Sequence, residues 1–264
     1  MKLKYRMTEE KITLHDNLVL TRIMALVDFG NVKAGTLGGF IQDTENLSFK
    51  GNCWVADNAF VYGFARVSGD ALVCGRAVLR GRAAVTDRVI VKDNALLNDH
   101  AFAYGNALIG ESSFISGVAT IYGNAKILCN SYYGTRRRPN VFGYGVVREN
   151  AMMHGHTIVR DHAVLRGNTS LRGGARLRDN AVVDENAIID GNANIRDQAH
   201  IFGNVEIRGH TKVGGRSVVY GYCKISGQSL ILCNARVAGS DTLIGIRLSG
   251  DQTHGIYYKT RRAA

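Results

Sequence analysis

Val61 to Val78 reads VYGFARVSGDALVCGRAV. An aliphatic residue, any residue, Gly, any residue, Ala and any residue follow one another, and then the pattern restarts. The beat begins at Val55 and runs for 13 hexads to Tyr132, then for 17 more from Val141 to Thr242. The first position is Val, Ile or Leu in 28 of the 30, with Ala103 and Met153 the exceptions. The third is Gly in 18 and otherwise Asp, Glu or Cys; the fifth is a small residue or Val in 29, with Asp241 the exception. Self-similarity at a fixed period points to a stacked repeat architecture.

The spacing carries the physics. Alternate residues of a strand face opposite ways, so the fifth residue of one hexad and the first of the next share a face. The residues on either side of the aliphatic one face outward. The third and fourth positions make a bend. Asn fills the fourth in 12 hexads, Asn58, Asn94, Asn106, Asn124 and Asn180 among them. Gly and Asn both reach positive φ at low cost, which predicts left-handed backbone at both bend positions. A strand this short buries little alone, so the coils must stack to form one core.

An aliphatic residue at i and a small one at i+4, repeated every six, resembles the hexapeptide-repeat superfamily. The resemblance implies a single-stranded left-handed parallel β-helix with three hexads per triangular coil. Thirty hexads then give about ten coils, roughly 48 Å of stack at about 4.8 Å per strand. Ahead of the hexads, Leu20 to Phe29 (LTRIMALVDF), Val32 to Ile41 (VKAGTLGGFI) and Asn46 to Val55 (NLSFKGNCWV) are similar to the start of bacterial and prophage YdcK-like acyltransferases. Physically, these residues predict a lid over the open end of the solenoid, with Trp54 at the seam. The first of them reads as a strand or a short helix. The expected organisation is a cap over 1–54, the solenoid over 55–242 with a loop insertion at 133–140, and a C-terminal cap and tail over 243–264.

The charged start, Met1 to Arg6, has no apolar run behind it and reads as no signal peptide. No apolar stretch is long enough to span a membrane. Five cysteines, Cys53, Cys74, Cys129, Cys223 and Cys233, have no metal-ligand spacing and read as free thiols in a reducing cytoplasm. A net charge of +11 fits an anionic partner such as a nucleotide, nucleic acid or acidic polymer, and equally a surface made soluble by arginine. No Walker-type loop, dinucleotide fingerprint, HExxH or nucleophile elbow is present.

Three outward features stand apart from the beat. Phe60, Val78, Leu96 and Phe114, followed by Tyr132, form an apolar stripe that suggests subunit contact, or else simply good strand formers. Tyr133 to Asn140 (YGTRRRPN) breaks the beat and holds Arg136, Arg137, Arg138 and the sole proline, Pro139. If that loop lengthens one corner, the corner below holds Glu111 and Ser112, and the corner above holds His154 and His156. Arg160, Arg178 and Arg196, each followed by Asp161, Asp179 or Asp197, recur at 18-residue spacing. They read as an ion-pair ladder, or as a positive stripe for a polyanion.

The superfamily resemblance implies acyl transfer from acetyl-CoA or a similar donor to a hydroxyl or amine, in a homotrimer whose donor lies between subunits. A histidine then serves as general base, for which a neutral imidazole is suited. His156 is the candidate base, His154 its alternate and Glu111 the group that orients the imidazole. Arg136, Arg137 and Arg138 would hold the phosphates of CoA. Against this stands a structural role, because His100, His156, His162 and His210 all occupy the fourth, bend position. The alternative function is a non-enzymatic binding or scaffold solenoid, of prophage type, for an anionic ligand, nucleic acid or a protein.

Overall fold

The computed structural model describes residues 3–129 and 138–255. The chain is an all-β parallel solenoid with three faces and an antiparallel hairpin at its N-terminal end. Face I carries the strands stacked on Phe60–Val61, face II those on Arg66–Val67, and face III those on Trp54–Val55. Nearly every strand is two residues long, an outward residue followed by the inward aliphatic one. Successive partners are eighteen residues apart, as in Val61↔Leu79 and Leu97↔Ile115. Faces II and III each stack 11 strands, and face I continues through the hairpin to 14.

The predicted single interior is present. Val61, Leu79, Leu97, Ile115, Val141, Val159 and Leu177 are fully buried in one continuous core with the fifth-position alanines. Each such aliphatic contributes about 1.5–3 kcal/mol by leaving water. The ladder bonds run coil to coil at 2.5–3.2 Å along the whole stack, for example Val78 N–H to Ala95 C=O at 2.9 Å.

The bend differs from its expected form. Positive φ falls on the third position alone: Gly where Gly is present, and otherwise Asp57, Asp87, Asp93, Asp99, Glu111, Glu149, Asp161, Asp179, Glu185, Asp197 and Cys233. None of the fourth-position asparagines or histidines has positive φ. The acids are suited to this backbone because their carboxylates reach up to the next corner. Asp87 accepts from Gly105 N–H at 2.9 Å and Asp197 from Gly215 N–H at 2.8 Å. The fourth-position asparagines instead bond one another. Asn106, Asn124, Asn150, Asn168 and Asn186 form a continuous amide ladder at 2.9–3.1 Å.

At the N-terminal end, β1 (Tyr5–Thr13) and β2 (Val19–Ala25) form the hairpin, and β3 (Leu37–Ile41) pairs antiparallel with β2 and parallel with Phe60–Val61. The stretch from Leu20 is therefore a strand. Coil pairing already starts at Phe40–Ile41 and at Leu47, which bridges Val67. Trp54 is buried at the seam, edge-on to Tyr5 and Phe29. Gly38 is where β3 crosses it, since a Cβ there would lie 2.5 Å from the indole. Buried Lys4 donates to the carbonyls of Cys53 and Gly51, satisfying backbone acceptors that the open end would otherwise expose.

At the other end stacking runs past the last counted hexad. Thr242–Ile244, Arg247–Leu248 and Thr253–His254 each pair with the strand below, which brings the solenoid to about a dozen turns rather than ten. Among the described residues, no helix is long and apolar enough to cross a membrane.

Candidate functional site

The insertion sits at the corner between faces III and I. Across it the register steps by 26 residues instead of 18, as in Phe114↔Asn140 and Lys126↔Met152, and stacking continues on all three faces. The loop thus lengthens one corner, as the alignment of the two hexad blocks predicts. Phe114 therefore meets Asn140, and Tyr132 lies outside the described residues. Outward aliphatic residues also stack on the other faces, as Leu72, Ile90 and Leu108 on face III and Val146, Val164 and Val182 on face II. The stripe on face I is thus one of three and does not by itself mark an interface.

Arg136 and Arg137 lie outside the described residues. Arg138 re-enters the stack with its guanidinium 4.7 Å from the centre of the Phe114 ring. His154 ends the strand Met152–His154, paired with Leu128 on the near side of the same corner. These two strands are three residues long where most have two, so the sheet is extended beside the insertion. Gly110 lies beneath, and its missing side chain leaves room for Leu128, whose Cδ2 would be 3.0 Å from a Cβ there.

His154 is half-buried, and its Nδ1 is buried with no hydrogen-bond partner. Burial holds its pKa below the usual histidine value. Arg172, in the coil above, pushes the same way, and Glu111 opposes them. Lowered in this way, the imidazole is neutral near pH 7, the state a general base requires; with Nδ1 enclosed, a proton from a bound acceptor would have to go to Nε2. Arg172 is fixed from below by its Nε–H to Ser170 Oγ at 2.7 Å. Glu111 occupies a positive-φ bend, its own N–H donating to Asp93 Oδ2 at 3.0 Å. His156 is on the corner, half-buried, with its backbone N–H bonded to Gly173 C=O at 2.7 Å. So His154, Glu111 and Arg172 act on one another electrostatically. Arg138 and Phe114 flank the other side of the corner.

Sequence reasoning missed Arg172, and it missed a second histidine cluster on face II. His200 is half-buried on a strand with Nε2 buried and unbonded. Burial lowers its pKa against the pull of Asp184. Asp184 is bound by Arg166 through Nε at 2.7 Å and Nη2 at 2.6 Å. The signal available was register: His200 is the outward residue before Ile201, not a bend residue.

No family model matches the chain. It is 40% identical over 70 residues to the uncharacterized acetyltransferase YdcK of Escherichia coli K12, and that match spans 24% of this chain and 22% of the relative. Among solved structures it is similar to UDP-N-acetylglucosamine O-acyltransferase (LpxA) from Moraxella catarrhalis, at 22% identity over 64% of this chain and 69% of that one, with a TM-score of 0.35. At that score the backbones do not superpose closely enough to pair side chains. The repeat and the three-faced parallel coil are consistent with the hexapeptide-repeat acyltransferases, and the chain is a distant relative of YdcK over the matched segment.

Proposed function

We propose that the protein is an acyltransferase that moves an acetyl-type group from an acyl-CoA to a hydroxyl or amine. The corner between faces III and I is its active site. The observation that carries this reading is His154: a half-buried imidazole, held neutral, which lies beside the corner where the hexad register is interrupted. It takes precedence over His156, because burial and Arg172 keep it in the proton-accepting form. In this role His154 removes the proton from the acceptor as its oxygen or nitrogen attacks the thioester carbonyl; the C–S bond then breaks, and the departing CoA thiolate takes that proton from the imidazolium. Glu111 stabilises the imidazolium that forms. Arg172 and Arg138 stand on the two sides of the corner, where CoA phosphates would need cations, and Arg136 and Arg137 belong to the same loop. The similarity to YdcK over 70 residues supports the class of chemistry. A trimer, with the donor lying between subunits in the cytoplasm, belongs to the same proposal.

The test is direct. Acetyl-CoA raises the melting temperature of the wild type, and acetyl transfer to a panel of sugar and amine acceptors is detected by thiol release. His154→Gln lowers kcat by about 10²–10⁴-fold, the range for loss of a general base, while melting as a folded protein. His156→Gln changes kcat less. Absence of both a thermal shift and thiol release across the panel overturns the proposal. Light scattering that returns a monomer removes the trimeric arrangement.

A further inference from the structure

The three faces treat their arginines differently. On face II, Arg148 donates through Nη1 to Tyr122 Oη at 2.8 Å, and Arg166 is bound by Asp184. On face III, Arg172 is held by Ser170 and Arg208 pairs with Glu206. Face I has Arg160, Arg178 and Arg196 in three consecutive coils, directly above one another because Val159, Leu177 and Ile195 are stacked in register. Like charges thus recur about every 4.8 Å with no acid in the column.

The expected ion-pair ladder is present in part, as Arg160–Asp161 and Arg196–Asp197, and the same acids also bond to backbone. Asp161, Asp179 and Asp197 each accept the N–H of the next corner, at 3.3, 3.0 and 2.8 Å. Arg160 and Arg196 approach their neighbouring carboxylates through Nε, at 3.4 and 3.7 Å. The Nε of Arg178 and of Arg196 is buried without a hydrogen bond. The stems are therefore steered by the corner acids, while the terminal guanidinium nitrogens have no protein partner among the described residues. Arg176, Lys212 and Arg216 are exposed on the same face and corner. The six cations outnumber the three carboxylates around them. Gly214 follows Arg196 in the column and is buried, and the Arg196 stem and the Asp197 carboxylate pack where its side chain would be. Tyr144, 55% exposed, lies at the adjoining corner, stacked 4.7 Å on His162.

We propose that the upper part of face I docks an extended phosphodiester strand, a single-stranded nucleic acid, laid along the solenoid axis. Arginine forks in a straight row match a row of phosphates. A flat strip two side chains wide suits one strand rather than a compact ligand that needs a cleft, and aromatic rings beside cations are what unpaired bases stack on. This surface lies apart from His154 and is independent of the acyl-transfer reading.

The experiment is fluorescence anisotropy with a labelled oligothymidylate of about 20 nucleotides, titrated with the full-length protein at about 50 and about 200 mM salt. Saturable binding that weakens with salt is expected. The variant Arg160→Gln/Arg178→Gln/Arg196→Gln weakens it by about tenfold or more and flattens the salt slope by about two, at roughly 0.7 for each phosphate no longer neutralised. The control Arg76→Gln/Arg82→Gln/Arg88→Gln removes the same charge from exposed corners elsewhere and changes binding less than about twofold. Equal weakening in both variants assigns the effect to net charge and overturns the proposal, as does no saturable binding at the lower salt. Equal affinity and salt slope for heparin overturn the phosphodiester assignment. Circular dichroism of each variant confirms folding, and a variant that does not fold is replaced by the single change Arg178→Gln.

Discussion

The two halves of face I, below and above the insertion, share an interior and differ outside. Below, the first outward column is Phe60, Val78, Leu96 and Phe114; above, the same column runs Asn140, Ile158, Arg176, Asn194, Lys212 and Leu230, polar or charged in four of six. Inside, Leu79 and Leu97 below and Leu177 and Ile195 above are equally buried. Stacking constrains the inward positions at every coil, because a wrong side chain there disrupts the coils on both sides. The outward positions carry no such constraint, so that is where the halves acquired different chemistry.

The largest expected effect tests the shared interior. Leu97→Asp and Ile189→Asp each place a carboxylate at a fully buried site and should each cost more than about 4 kcal/mol, read as loss of the cooperative urea transition. A transition lost for one and retained for the other would show that the halves fold separately. Next comes the contact between the halves at the corner of faces II and III, where Gly123 stacks on Glu149. Gly123 has φ +74°, and a Cβ there would lie 2.8 Å from the backbone nitrogen of Glu149. Gly123→Val should therefore cost about 1–3 kcal/mol from strained backbone, and more where the coils cannot separate. Smaller again is Asn150→Ala in the amide ladder, which removes bonds to both Asn124 and Asn168 and should cost about 1 kcal/mol in a urea midpoint.

The smallest effect is a pH dependence. His154 and His200 both have pKa values lowered by burial. A histidine depressed in the folded state binds its proton more readily when unfolded, so the protein loses stability as pH falls below about 6.5. Between about pH 7.5 and 5 the melting temperature should fall. His154→Gln/His200→Gln should flatten that fall. An unchanged slope in the double variant would mean that neither strand histidine resists protonation.

Much of this could be read from residues alone. A first position restricted to aliphatics forces one interior, and the face of every outward residue follows from it. The corner joining Glu111, the loop and His154 followed from counting eighteen residues across the interruption. The bend was misread, because Asn at the fourth position suggests a conformational role when it makes amide bonds to its neighbours. Acids at the third position look like charge when they serve as acceptors for corner N–H groups. Both histidines are half-buried; the strand pairing of His154 with Leu128 and the electrostatic effect of Arg172 on it depend on coil-to-coil packing that no local pattern encodes. The arginine column and its ion pairs were visible as a period; that each aspartate also accepts the N–H of the next corner was not.

Across the segment between Cys129 and Arg138 the register steps by 26 residues instead of 18, with every later strand still in register. Length at that vertex is therefore decoupled from the architecture. A foreign peptide spliced there would be displayed from a rigid rod at a fixed height. The same freedom lets evolution rewrite this vertex without renegotiating any other coil.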